Sequence, residues 1–248
     1  RRFYPLLRKR NRRYADAGRY HGAHRKRRGE SVMKKLLYKE MKLSANPLSY
    51  CFISFSAMTM IPRYPILVSS FFICLGIFHT YQQIREYDDI TYTVMLPVKK
   101  QDVVTAKYLF VLFIESMAFI LYTSLTIIRM KALGAAAPYA ANQLMNANAA
   151  YLGYALIVFA AFNSIFLAGF FRTAYKIGKP FLMFCIVNFI IISVGEILHH
   201  LPGLGSLNDP SNLSIAQLVL FAIGVTVFLL CTCLSYQTSI KNFEVIDL

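Results

Sequence analysis

Of 248 residues, 56% are hydrophobic and 16% charged, and the apolar ones fall in runs of about twenty rather than in stripes, which speaks against a water-soluble domain and for repeated bilayer crossing. The net charge of +15 would suggest a nucleic-acid partner, but 16 of the 27 basic residues lie between Arg1 and Lys42, and the rest of the chain is close to neutral. No nucleic-acid partner is therefore expected, and five cysteines scattered through apolar runs, with Cys231 and Cys233 on different sides of one helix, favour neither a metal site nor a disulfide.

Residues 1–31 are rich in arginine and have neither an apolar run nor an initiating Met, so they read as neither a signal peptide nor a span. One reading is a tail for anionic lipid or nucleic acid. The favoured one is a basic leader, disordered or untranslated, ahead of a start at Val32 or Met33, because Arg27-Arg28-Gly29-Glu30 can be encoded by the purine-rich bases of a ribosome-binding site. The expected division is thus a 1–31 leader and a 32–248 transmembrane domain. From Met33 to Ser44, Met33, Leu36, Leu37 and Met41 follow helical spacing while Lys34, Lys35, Lys39 and Lys42 take the other faces, which predicts an amphipathic helix along a membrane surface.

Six spans are expected: Pro47 to Ile61, Pro65 to Gln83, Tyr108 to Ile128, Tyr151 to Phe171, Phe181 to Leu198 and Ile215 to Tyr236. The fold class is therefore an all-α polytopic membrane protein. An even number of spans puts both termini on one side. Counting from Met33, the segments on that side carry twelve Lys and Arg against three (Arg63, Arg129, Lys131) on the other, so the termini are expected in the cytosol. Residues 84–107 then form the longest cytosolic interval. It opens with Arg85, Glu86, Asp88 and Asp89 and meets Leu96-Pro97-Val98, where Pro97 is expected in the first turn of a new helix with Asp102 near its positive end. Lys107 and Tyr108 read as interfacial anchors.

Glu115 lies eight residues beyond Lys107, roughly 12 Å along the helix at 1.5 Å per residue, and so inside the hydrocarbon layer. A bare charge there costs about 2.5–3.5 kcal/mol, so Glu115 is expected to face protein or a cavity. It is either a proton-linked or translocation-path residue, with Asn163 and Asn188 on the same candidate path, or a helix-to-helix partner of Asn163 or Asn188. Glu196, His199 and His200 form an E-x-x-H-H end to the fifth span. They lack the H-E-x-x-H protease arrangement and read as a polar helix end, with no metal expected.

Three stretches carry a family resemblance over Met33 to the C-terminus: Met33-Lys34-Lys35-Leu36-Leu37-Tyr38-Lys39-Glu40, Ile61-Pro62-Arg63-Tyr64-Pro65, and Leu96-Pro97-Val98-Lys99-Lys100-Gln101-Asp102-Val103-Val104 with Lys107-Tyr108. The chain resembles the permease subunit of bacterial type-2 ABC exporters, most of all those of phenol-soluble-modulin peptide exporters. The resemblance implies a connecting helix at the start and a cytosolic coupling helix between spans two and three. It also implies two ABC ATPase subunits, a second six-span permease in a homo- or heterodimer, and a place in the bacterial cytoplasmic membrane. Amphipathic or antimicrobial-type peptides would be exported. No G-x-x-x-x-G-K-[ST] sequence is present, so no cofactor is expected on this chain, with ATP and Mg on the partner ATPase.

Beside the resemblance, Leu96, Val98 and Val103 offer apolar contact and Lys99, Lys100 and Asp102 charge, in an interface extending over Asp88, Asp89, Pro97 and Gln101. Two other classes stay open. A non-transporting membrane anchor or sensor fits spans alone. An intramembrane enzyme fits less well, since Glu115 and Glu196 lie at opposite depths without a nucleophile or metal set.

Overall fold

The computed structural model describes residues 32–134, 136–140, 142–173, 176–210 and 212–246, and the expected leader at 1–31 lies outside them. Among the described residues there is no strand. The first helix, α1, covers residues 32–44, and its last turn, Glu40–Ser44, is π-wound. As its periodicity predicts, Leu36 is buried and Lys34, Lys35 and Lys42 are exposed. Asn46 then caps α2 (Pro47–Ile53), its side chain accepting from the Leu48 N–H at 2.9 Å, and the helix tightens to 3-10 winding over Ser54–Met60. The next helices are α3 (Val68–Glu86), α4 (Asp89–Met95), α5 (Lys100–Ile128, running on through a π-wound Arg129–Leu133) and the short α6 (Ala137–Ala140). The long helices α7 (Ala149–Phe171), α8 (Gly178–Leu198) and α9 (Ile215–Val245) complete the bundle.

Four of these are long and apolar enough to cross a membrane: α5 with its extension, α7, α8 and α9. The first two expected spans fall short of that standard for different reasons. Seven α-helical and seven 3-10 residues reach only roughly 25 Å, less than the ~30 Å of hydrocarbon. Helix α3 has length, but from His79 onward it carries Thr80, Gln82, Gln83, Arg85 and Glu86, so its apolar part stops near Phe78.

α7 is the centre of the bundle. It is apolar all round and nearly every residue from Ala150 to Ala160 is buried, as expected of a helix enclosed by others. Its tightest neighbour is α9. A Cβ on Gly224 would lie 2.4 Å from the Gly153 carbonyl oxygen, and one on Gly153 would lie 2.7 Å from that of Leu220, so the two backbones touch only because both positions are glycine. Around α7, Tyr81 of α3 meets Phe170 edge-on at 4.7 Å, and Phe171 meets Phe243 of α9 at 5.7 Å. These contacts gather the C-terminal ends of α3, α7 and α9 with the beginning of α5 at one end of the bundle. The ends of α2, α5 and α8 meet at the other.

Three expectations need correction. Pro97 is not in the first turn of a helix: α4 ends at Met95, residues 96–99 are extended or bent, and α5 begins at Lys100 with Lys99 as its uncapped N-cap. Without an amide hydrogen and with its ring against the preceding residue, proline here separates two helices. The 129–150 interval, expected from its Ala and Asn content as a loop between the third and fourth spans, is not a plain loop, because the π turn, α6 and buried Asn142, Asn146 and Asn148 close the bundle. The last helix also runs to Val245, about two and a half turns beyond the expected span.

Candidate functional site: a charge-locked helical elbow

At the first end of the bundle the chain reverses out of α3 through Tyr87 and Asp88. Asp88 is exposed and in the left-handed region (φ 48°), a conformation that aspartate tolerates better than most residues. That reversal launches α4 back toward α1. Asp89, in its first turn, points inward, where Lys39 and Glu40 of α1 and Lys107 of α5 await it. Lys107 Nζ lies 2.9 Å from Glu40 Oε2 and 3.2 Å from Asp89 Oδ2, and Lys39 Nζ lies 2.6 Å from Asp89 Oδ1 and 3.3 Å from Glu40 Oε1. Lys39 also donates to the Thr93 hydroxyl, and Ser44 Oγ lies 3.3 Å from Asp89 Oδ1.

Two cations and two carboxylates thus close a neutral cluster, with Lys107 and Glu40 each 1% exposed. Burial pushes the Asp89 carboxyl up, but Lys107 and Lys39 together outweigh it and hold the group below its ordinary range. Lys107 is therefore not an interfacial anchor. Neither is Tyr108, which is buried with its hydroxyl 2.7 Å from both Ser235 and Ser239 of α9.

The cluster makes α1, α4 and the foot of α5 one mechanical piece, and further bonds tie it to the end of α9. Lys100 Nζ donates to the Ile246 carbonyl at 2.6 Å and to that of Glu244 at 3.3 Å, and Gln101 Nε2 donates to Glu244 Oε1 at 2.6 Å. Lys100 thereby satisfies carbonyls that the end of α9 leaves open, and its charge favours the negative end of that helix. Of the residues expected at a partner interface, Asp88, Leu96, Pro97, Lys99 and Gln101 are exposed, and Asp102 is half-buried in the first turn of α5. Asp89 and Lys100 are committed inside the chain, Val98 packs against the core, and Val103 is buried at 1%.

The outward surface of the elbow is made by those exposed residues together with Tyr87, Tyr92 and Met95, which are 74%, 64% and 79% exposed. Sequence reasoning missed these last three. A signal was present in the alternation of α4, where Ile90 and Thr93 turn inward and Tyr92 and Met95 outward.

Further into the bundle, Glu115 is 1% exposed, and its Oε2 accepts from Asn163 Nδ2 at 3.1 Å. The same amide reaches Thr232 Oγ1 at 3.1 Å, and Ser235 donates to the Asn163 carbonyl. Asn163 lies in the π-wound turn Phe162–Leu167, and its carbonyl accepts both the Ala168 N–H, five residues on, and the Ser235 hydroxyl. Of the two expected partners, Asn163 is joined to Glu115. Asn188 is buried on α8, and its Oδ1 has no hydrogen-bond partner among the described residues.

At the opposite end, Arg129 is buried rather than in a loop. It donates to the Thr59 carbonyl and, at 3.0 Å, to Asn146 Oδ1, and lies over the Tyr139 ring at 4.7 Å. Nearby, Glu196 Oε2 accepts from the Met145 N–H at 2.8 Å and His199 Nε2 is 3.1 Å from the Gln143 carbonyl, while the His200 ring is exposed 4.2 Å from that of His199. Among the described residues no His, Cys, Asp and Glu cluster has metal-binding geometry.

Searches of curated proteins and of solved structures returned no match for the chain. A family model described as ABC-2 family transporter protein matches residues 35–244, from the start of α1 almost to the end of α9. The chain therefore belongs to the ABC-2 transporter family, as a multi-pass membrane permease that works with ABC ATPase subunits rather than as the ATPase itself.

Proposed function

We propose that the chain is one half of the permease of an exporter, with both termini and the α3–α5 elbow in the cytosol, and that it moves amphipathic peptides out of the cell. In this reading α2 with its 3-10 extension and α3 act as short spans, giving six. The twelve-to-three basic asymmetry supports the orientation. A second permease completes the path, and two ATPases supply ATP and Mg. The similarity to phenol-soluble-modulin exporters supports peptides as cargo.

The observation that carries the coupling role is the charge-locked elbow. A partner pressing on Tyr92, Met95 and Leu96 pushes a helix fixed through Asp89 to Lys107, and Lys107 belongs to the long helix α5. Force at the elbow therefore reaches the membrane without passing through a flexible joint. Glu115 and Asn163, enclosed between α5, α7 and α9, serve this as a tether that keeps the bundle moving together.

The test is co-purification of the ATPase with the permease, followed by peptide-stimulated ATP hydrolysis. Tyr92→Asp with Met95→Asp and Leu96→Asp puts charge on exposed positions alone, so insertion should be normal while ATPase binding or stimulation is lost. Export at the wild-type rate by this triple variant would overturn the coupling role. An introduced cysteine at Tyr92 that reacts with an impermeant reagent from outside sealed cells would overturn the orientation.

A further inference from the structure

Where α7 ends and α8 begins, the bundle surface holds a cavity of about 540 Å³. Its lining has two parts in a fixed order. Arg172, Lys176 and Lys179 lie at the turn, all exposed, while Ile165, Pro180 and Met183 are apolar. Ile165 is seven residues before Arg172 on α7, roughly 10 Å deeper at 1.5 Å per residue, and Met183 is one helical turn beyond Lys179. Cations therefore mark the end of the helices, and the apolar wall continues toward their middle. The Thr173 hydroxyl accepts from the Lys176 N–H at 3.1 Å, and both residues line the cavity.

No acidic residue lines the cavity, and none of its three cations has an ion pair among the described residues. The contrast with the elbow is sharp: there every buried charge is matched within the chain. Basic residues at this end of a span are expected from topology alone. Topology requires neither a cavity nor three cations converging on its mouth above an apolar wall.

We propose that this cavity binds an anionic phospholipid, its phosphate among Arg172, Lys176 and Lys179 and an acyl chain along Ile165, Pro180 and Met183. A free phosphate would satisfy the cations and leave the apolar wall bare. A zwitterionic lipid would cover the wall and bring no net charge to the three cations. The anionic lipid meets both requirements, and its attraction to each nearby Lys or Arg is additive. The proposal rests on membrane embedding and not on the direction or cargo of transport.

The experiment uses the full chain purified in neutral detergent and reads thermal unfolding and lipid retention by native mass spectrometry. Phosphatidylglycerol should raise the melting temperature, while phosphatidylcholine and inorganic phosphate should not. Arg172→Gln with Lys176→Gln and Lys179→Gln should weaken phosphatidylglycerol binding by on the order of 100-fold, given the contribution of each basic residue near an anionic headgroup. Lys34→Gln with Lys35→Gln and Lys42→Gln removes the same charge from the exposed face of α1 and should leave binding intact. If the first triple variant does not fold, Met183→Glu alone should reduce retention by placing a carboxylate on the apolar wall. Equal stabilisation by phosphate or phosphatidylcholine, undiminished binding in the α7–α8 variants, or equal loss in the α1 variant would each overturn the proposal.

Discussion

The two ends of this bundle bury charge in opposite ways. At the elbow, two lysines meet two carboxylates across three helices and the charges cancel. At the other end Arg129 is held by a backbone carbonyl, an asparagine oxygen and a tyrosine ring, and among the described residues no carboxylate pairs with it. A matched cluster depends on every member keeping its charge, so it responds to mutation and to acid. A cation held by neutral dipoles depends on geometry. The elbow thus has the character of a joint and the far end that of a cap.

The largest expected effect tests the matched cluster. Lys107→Met leaves Glu40 and Asp89 buried with Lys39 alone, and stranding a buried charge typically costs about 3–5 kcal/mol. Thermal unfolding in detergent should show the loss, and Glu40→Gln added to Lys107→Met should recover part of it. Absence of recovery would mean that packing rather than charge holds the elbow.

Next comes a test that touches neither end. Gly224→Ala would bring a methyl within 2.4 Å of the Gly153 carbonyl oxygen, so α7 and α9 must separate, at a cost of about 1–3 kcal/mol. A wild-type melting temperature for this variant would show that the crossing is looser than the structure has it.

Glu115 should be more forgiving. Glu115→Gln keeps a hydrogen-bonding group beside Asn163 and should unfold close to wild type, whereas Glu115→Leu leaves Asn163 without that acceptor and should cost about 1–3 kcal/mol. Equal loss of transport in both variants with normal assembly would replace the tether with a role for the charge itself.

The smallest effect is acid sensitivity. Because the folded-state value of Asp89 is depressed, its contribution is present above the unfolded value and disappears as pH falls through the lower, folded one. Stability from Asp89 should be flat from neutral pH down to the ordinary carboxylate range and decline below it. Asp89→Asn should remove that part of the decline, whereas Arg129→Lys should leave it unchanged. An Asp89→Asn variant with the wild-type acid profile would break the contrast between the two ends.

Much of the architecture follows from linear patterning. The apolar runs after Lys107, Tyr151, Phe181 and Ile215 become the four long helices, because a run of that length has few ways to satisfy its backbone inside a bilayer other than helix. The amphipathic start and the polar 84–107 interval were legible for the same reason: charge placement is local information. The position of α4 was not, since its β-branched and aromatic residues carry little helix propensity and its inward face is set by contact with α1 and α5.

Partnership is what only tertiary structure decided. Lys107 reads from sequence as a lysine at the foot of a span, able to extend to the interface, and its partners Glu40 and Asp89 lie 67 and 18 residues away. Arg129 likewise reads only as a basic residue between two spans until Thr59 and Asn146 close over it. A one-dimensional pattern determines that these side chains are charged and near a membrane end. Whether each meets a carboxylate, a carbonyl or water depends on which distant helices the bundle brings together, and that follows from packing around α7.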